Sequence, residues 1–101
     1  MIKVLIKKNK DQINSITIKG HAGYGVSGED IVCASVSSII ITSLNAIIKI
    51  DEKSINYKQD EGFIEVNILI HTEVLDILIE NMINLLKDLE KDYKKNIKIY
   101  E

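Results

Sequence analysis

The chain has 101 residues, 13 Lys, 15 Asp or Glu and no Arg, for a formal charge of −2. Hydrophobic residues make up 46%, which excludes a disordered chain and is enough for one core within a single domain over 1–101. Without arginine there is no bidentate fork for phosphate or base edges, so no direct nucleic-acid binding is expected, although scattered lysines can touch phosphates.

Ile2, Val4 and Ile6 alternate with Lys3, Leu5 and Lys7, the period of a half-buried strand. Asn9 and Asp11 suit a turn. Ile16 and Ile18 alternate with Ser15, Thr17 and Lys19 as a second strand, paired with the first as a hairpin. That strand ends at Gly20 and delivers His21 to a sheet edge, where loops carry function. The loop from Ala22 to Gly28 contains Gly23, Gly25 and Gly28, and Ser27 suits the cap of a first helix running to about Ile50. Residues Ile31 to Ile48 carry no charge and are long enough to resemble a membrane span. Ser35, Ser37, Ser38, Thr42, Ser43 and Asn45 interrupt that run. The expectation is a central helix covered on two sides, by the sheet and by another helix or a second subunit.

Residues 54–59 alternate, Asp60-Glu61-Gly62 makes a turn, and Phe63 to Ile70 places Ile64, Val66, Ile68 and Ile70 on one face of a second hairpin. Thr72 is suited to cap a helix carrying Leu75, Leu78, Ile79, Met82, Leu86, Leu89 and Tyr93 at helical spacing. Ile97 and Ile99 suggest a last strand. The fold class is therefore α+β, an α/β sandwich of order β-β-α-β-β-α-β, with two helices on a mixed sheet.

Cys33 is the only cysteine, so no internal disulfide forms and a reducing cytoplasm fits. MIKVLIKKNK alternates apolar residues with lysines and does not read as a secretory signal. Thiolates are favoured near helix N-termini and beside imidazolium groups, and Cys33 stands near the start of its helix with His21 across a glycine-rich loop. Helical spacing puts Asp30, Cys33 and Ser37 on one face. Asp30 is suited to orient His21 or to cap the helix; Ser37 is suited to bind a substrate or the carbonyl one turn back. Against this chemistry stands the ordinary role of a lone cysteine as a small core residue. Cys33, His21 and His71 are zinc-type ligands without a recognisable spacing, so no metal and no cofactor is expected.

Gly20-His21-Ala22, Gly28, Asp30-Ile31-Val32-Cys33-Ala34, Ser37 and Asn45-Ala46-Ile47-Ile48 together resemble the ribosomal-processing cysteine proteases, the Prp or YsxB-like family. The resemblance spans the whole chain. It implies a cytoplasmic, homodimeric cysteine endopeptidase that removes the N-terminal extension of a large-subunit ribosomal protein during ribosome maturation. The extension ends in apolar residues, with the cut after a phenylalanine. By the same resemblance Cys33 is the nucleophile and His21 the general base and acid. Asp30 and Ser37 occupy supporting positions, and the loop 22–28 closes over the peptide. The alternative is a non-catalytic module that holds a ribosomal protein during assembly.

Overall fold

Alternation of isoleucine and valine with polar residues decides the inner face of the sheet. In the computed structural model, which describes residues 1–20 and 27–101 (27–30 as backbone only), β1 (Ile2–Asn9) buries Ile2, Val4 and Ile6. β2 (Gln12–Lys19) buries Ile16 and Ile18 against the same side. The two pair antiparallel through a turn tighter than the sequence suggests: Asn9 faces Gln12, and Lys10 and Asp11 take φ of 51° and 68°. Two positive φ values in a two-residue loop match the twist of a hairpin. A register shift between Lys7 and Lys8 absorbs the mismatch at that end.

α1 (Ser27–Ile50) follows, then β3 (Ile55–Asp60), β4 (Phe63–Ile68), α2 (Glu73–Asp92) and β5 (Ile97–Tyr100). The strand order is β3-β4-β2-β1-β5. β5 runs parallel to β1 and the other pairs are antiparallel, which makes the sheet mixed. The α+β order expected from the sequence is the order observed.

The core lies between this sheet and the two helices. α1 buries Val32, Val36, Ile40, Leu44 and Ile47, a stripe at intervals of three and four. α2 buries Leu75, Ile79, Met82, Ile83 and Leu86. The segment Ile31–Ile50 has a mean hydropathy of 2.1 and is long enough to cross a membrane, yet its buried stripe belongs to the same core as the sheet and α2. Ile31 and Ile50 stay 54% and 61% exposed, so sheet and helix do not cover α1 all round.

Ser54 ties the helix layer to the sheet. Its hydroxyl donates to the Asp51 carbonyl at 2.7 Å, and its carbonyl accepts from the amides of Leu69 and Ile70. This turns the chain out of β4 after Ile68. Ile70, expected on the inner face of that strand, lies beyond it and is 47% exposed. Thr72 caps α2 as expected, its Oγ1 accepting from the Leu75 amide at 3.1 Å. The Glu90 carboxylate accepts from the Ile99 amide at 2.7 Å, so a helix side chain occupies a donor on the β5 edge.

Candidate active site

Cys33 projects from α1 beside the ends of β1, β2 and β4, where the helix crosses the sheet. It is partly exposed, is a free thiol and packs against the core. With Val36 and Ser37 of α1 it lines a cavity of about 220 Å³. Ile2, Ile18 and Ile64 supply apolar wall from the sheet. Gly20, Gln59, Asp60, Gly62 and Phe63 complete the lining. A space of this size suits one bulky side chain rather than a whole cofactor.

The backbone around Gly20 fixes one side of the cavity. Gly20 has φ of +103°, and a Cβ there would run into the Met1 carbonyl. Its amide donates to the Gly62 carbonyl at 3.0 Å. The β2–β4 register, with Lys19 opposite Phe63, brings the two glycines together. The β3–β4 turn is itself set by Gly62, at φ of 69°, and by Asp60, whose Oδ1 accepts from the Glu61 amide at 2.8 Å.

Cys33 and Ser37 therefore share one cavity, one helical turn apart. The serines that bond the carbonyl one turn back are Ser35, to Ile31 at 2.9 Å, and Ser43, to Ile39 at 2.7 Å. His21, Gly23 and Gly25 lie outside the described residues, as does the side chain of Asp30. Gly28, expected at the end of the loop, is the second residue of α1, because the helix already begins at Ser27. His71 does not join Cys33. It stands past the far end of β4, with Nδ1 2.8 Å from Asp76 Oδ1. Among the described residues, no three His, Cys, Asp or Glu side chains group as a metal site.

By alternation and turn chemistry alone, Gln59, Asp60 and Phe63 read only as strand and turn residues. Their place on the cavity follows from the strand order, which alternation does not encode. A second cavity of about 100 Å³ adjoins the first and shares Gln59 and Ile64 with it. Ile40, Ile41, Leu44 and Asn45 of α1 and Tyr57 of β3 form the rest of its walls. Together the two make a groove along α1 with Cys33 at one end.

Comparison with known proteins bears on this site. The ribosomal processing cysteine protease Prp of Bacillus subtilis (strain 168) is 32% identical over 110 residues, covering 98% of this chain and 96% of the relative. The protein of the same name from Staphylococcus aureus (strain Mu50 / ATCC 700699) is 30% identical over 103 residues, covering 98% and 97%. Among solved structures, the S. aureus Prp in complex with a substrate peptide superposes with a TM-score of 0.90 at 27% identity, covering 99% of this chain and 98% of that one. The same protease with a covalently linked product peptide gives 0.88 at 28% identity, covering 98% and 97%. The family model for cysteine protease Prp matches residues 1–98. A free thiol on a cavity wall, in a fold shared from end to end with these enzymes, is accounted for by descent: the chain belongs to the Prp family of cysteine proteases.

Proposed function

We propose that the chain is the endopeptidase that removes the N-terminal extension of a large-subunit ribosomal protein, cutting after a phenylalanine, with Cys33 as nucleophile and His21 as base and acid. The observation that carries this reading is the place of Cys33 on a cavity whose wall includes Gly20, the residue before His21. Relatives named ribosomal processing proteases, one of them holding a substrate peptide, support it.

The chemistry follows from these groups. His21 takes the thiol proton as sulfur attacks the scissile carbonyl carbon. The tetrahedral oxyanion needs fixed donors, which backbone amides supply. Collapse breaks the C–N bond, and His21 returns the proton to the leaving amine. A thioester to Cys33 remains. Water, giving its proton to His21, attacks that thioester; the imidazolium then reprotonates the departing sulfur.

The groove suits an apolar extension. From Cys33 to Asn45 it runs along about 18 Å of helix, the length of roughly five extended residues. Its walls mix apolar side chains with polar groups in about equal share, and Gln59 and Asn45 supply amides able to bond a peptide backbone. The apolar side chains left on α1, Ile31 and Ile50, support a homodimer. A reducing cytoplasm keeps the lone thiol available.

The test is mass spectrometry of the extended precursor from the same genome mixed with the intact protein, Cys33→Ala or His21→Ala. One cut after the apolar segment, made by the intact protein alone, supports the dyad. Cleavage surviving in Cys33→Ala overturns it. Co-purification without cleavage by any of the three replaces it with the binding module. Sedimentation at micromolar concentration reads the homodimer, and a monomer alone refutes it.

A further inference from the structure

The sheet has two faces, and among the described residues only the inner one is covered. On the outer face, strand register assembles residues that the sequence keeps far apart. Lys98 of β5 faces Lys3 of β1, and Lys3 faces Lys19 of β2. Adjacent strands lie about 4.8 Å apart, so three ammonium stems rise from a row roughly 10 Å wide. All three lysines are exposed. The ion pairs among the described residues lie elsewhere, at His71–Asp76 and Lys87–Glu101.

Like charges placed directly opposite one another destabilise a sheet, and among the described residues no carboxylate pairs with this row. Alternation puts Lys7 and Lys58 on the same face, against the carboxylates of Asp60 and Glu65. Five lysines against two acids make this face basic on a chain whose net charge is −2. Tyr100, 41% exposed, adjoins the row, with its ring centroid 5.9 Å from Lys98 Nζ. An open strand surface with an aromatic ring among lysines has the parts of a single-strand platform: ammonium groups for phosphates and a π-face for a base.

Against the expectation of no direct nucleic-acid binding, which treated the lysines as scattered, we propose that this face binds single-stranded RNA, with Lys3, Lys19 and Lys98 on its phosphates and Tyr100 under a base. An acidic membrane fits less well, because the apolar groups on this face, Leu5 and Phe63, are half-buried and leave Tyr100 as the exposed ring to insert. The choice of RNA rests on the ribosomal reading above. The binding itself does not, since it is measured without cleavage.

The experiment is fluorescence anisotropy with a labelled 12-nucleotide RNA of mixed sequence, the matching single-stranded DNA, and phosphatidylserine vesicles, between 50 and 200 mM salt. The expected result is saturable RNA binding with a log–log salt slope near −2, about 0.7 for each of three phosphates. The triple variant Lys3→Gln, Lys19→Gln, Lys98→Gln loses at least tenfold in affinity and most of that slope. Tyr100→Ala loses about fivefold or more, the scale of one base stack. A triple of equal charge change away from this face, Lys49→Gln on α1, Lys91→Gln on α2 and Lys94→Gln in the turn after it, retains binding. No binding at 50 mM salt, equal loss in both triples, tighter binding of DNA, or vesicle binding in place of RNA each overturns the proposal. Failure of peptide cleavage beside intact RNA binding would strike the protease reading alone.

Discussion

The amide of Gly20 donates to the carbonyl of Gly62 at 3.0 Å, so the residue before His21 is fastened to the turn that carries Asp60 and Phe63. The fastening depends on a backbone only glycine adopts freely, since Gly20 has φ of +103° and no room for a Cβ beside the Met1 carbonyl. Gly20→Ala is expected to cost at least about 2 kcal/mol in urea unfolding. Peptide cleavage should fall further than the unfolded fraction explains, because the cavity wall moves with it.

Cys33→Ala separates chemistry from packing. The thiol is partly exposed at the rim of the core, so its loss should cost less than about 1 kcal/mol of stability. Cleavage of the precursor should drop to background, and the peptide should still bind. Calorimetry on the variant with the intact extension checks binding, and an unfolding curve checks the fold.

Ile41 tests the groove. It lines the cavity next to that of Cys33 and is 42% exposed, so a charge there disturbs the fold little. Ile41→Lys should raise KM for the apolar extension about tenfold, the worth of one buried aliphatic side chain, with kcat nearly unchanged. A fall in kcat at constant KM would place the extension elsewhere.

Thr72→Ala removes the hydroxyl that accepts from the Leu75 amide. The expected loss is about 1 kcal/mol in chemical unfolding. Thr72→Ser, which keeps an acceptor, should recover most of it.

The acid limb of stability carries a small mark from Glu101. Its bond to Lys87 Nζ, 2.9 Å away, and the charges of Lys87 and Lys8 hold its carboxyl below the usual 4.5. A lowered pKa contributes stability above about pH 4.5 that is lost as pH falls through the folded value. The pair is solvent-exposed, so the contribution is about 0.5 kcal/mol or less. Glu101→Gln should remove it at pH 7 and leave stability at pH 3 unchanged, which parallel urea titrations would read.

Period-two isoleucines marked the strands, and Thr72 marked the start of α2, because these signals are local. Ile70 was misplaced because its alternation continues past the point where Ser54 draws the chain away from the strand. The strand order was not legible, since many pairings bury the same isoleucines. With it went the cavity: Asp60 and Phe63 meet Cys33 only because β4 lies beside β2. The thiol was legible as a candidate because it is the sole cysteine near a helix start. The row of Lys3, Lys19 and Lys98 was not, because no local pattern joins three distant lysines.

β5 is the last strand in the chain and pairs with the first. During synthesis, then, β1 and its hairpin partner emerge long before β5 does. Until then β1 presents an open edge with the backbone amides and carbonyls that β5 will later engage, and such an edge recruits stray strands. Closing the sheet also pairs Ile2 with Ile97, far apart in sequence, an arrangement that slows folding relative to local contacts. A chain released before Ile97 is made should therefore lean on chaperones and aggregate, and one released after Tyr100 should resist protease.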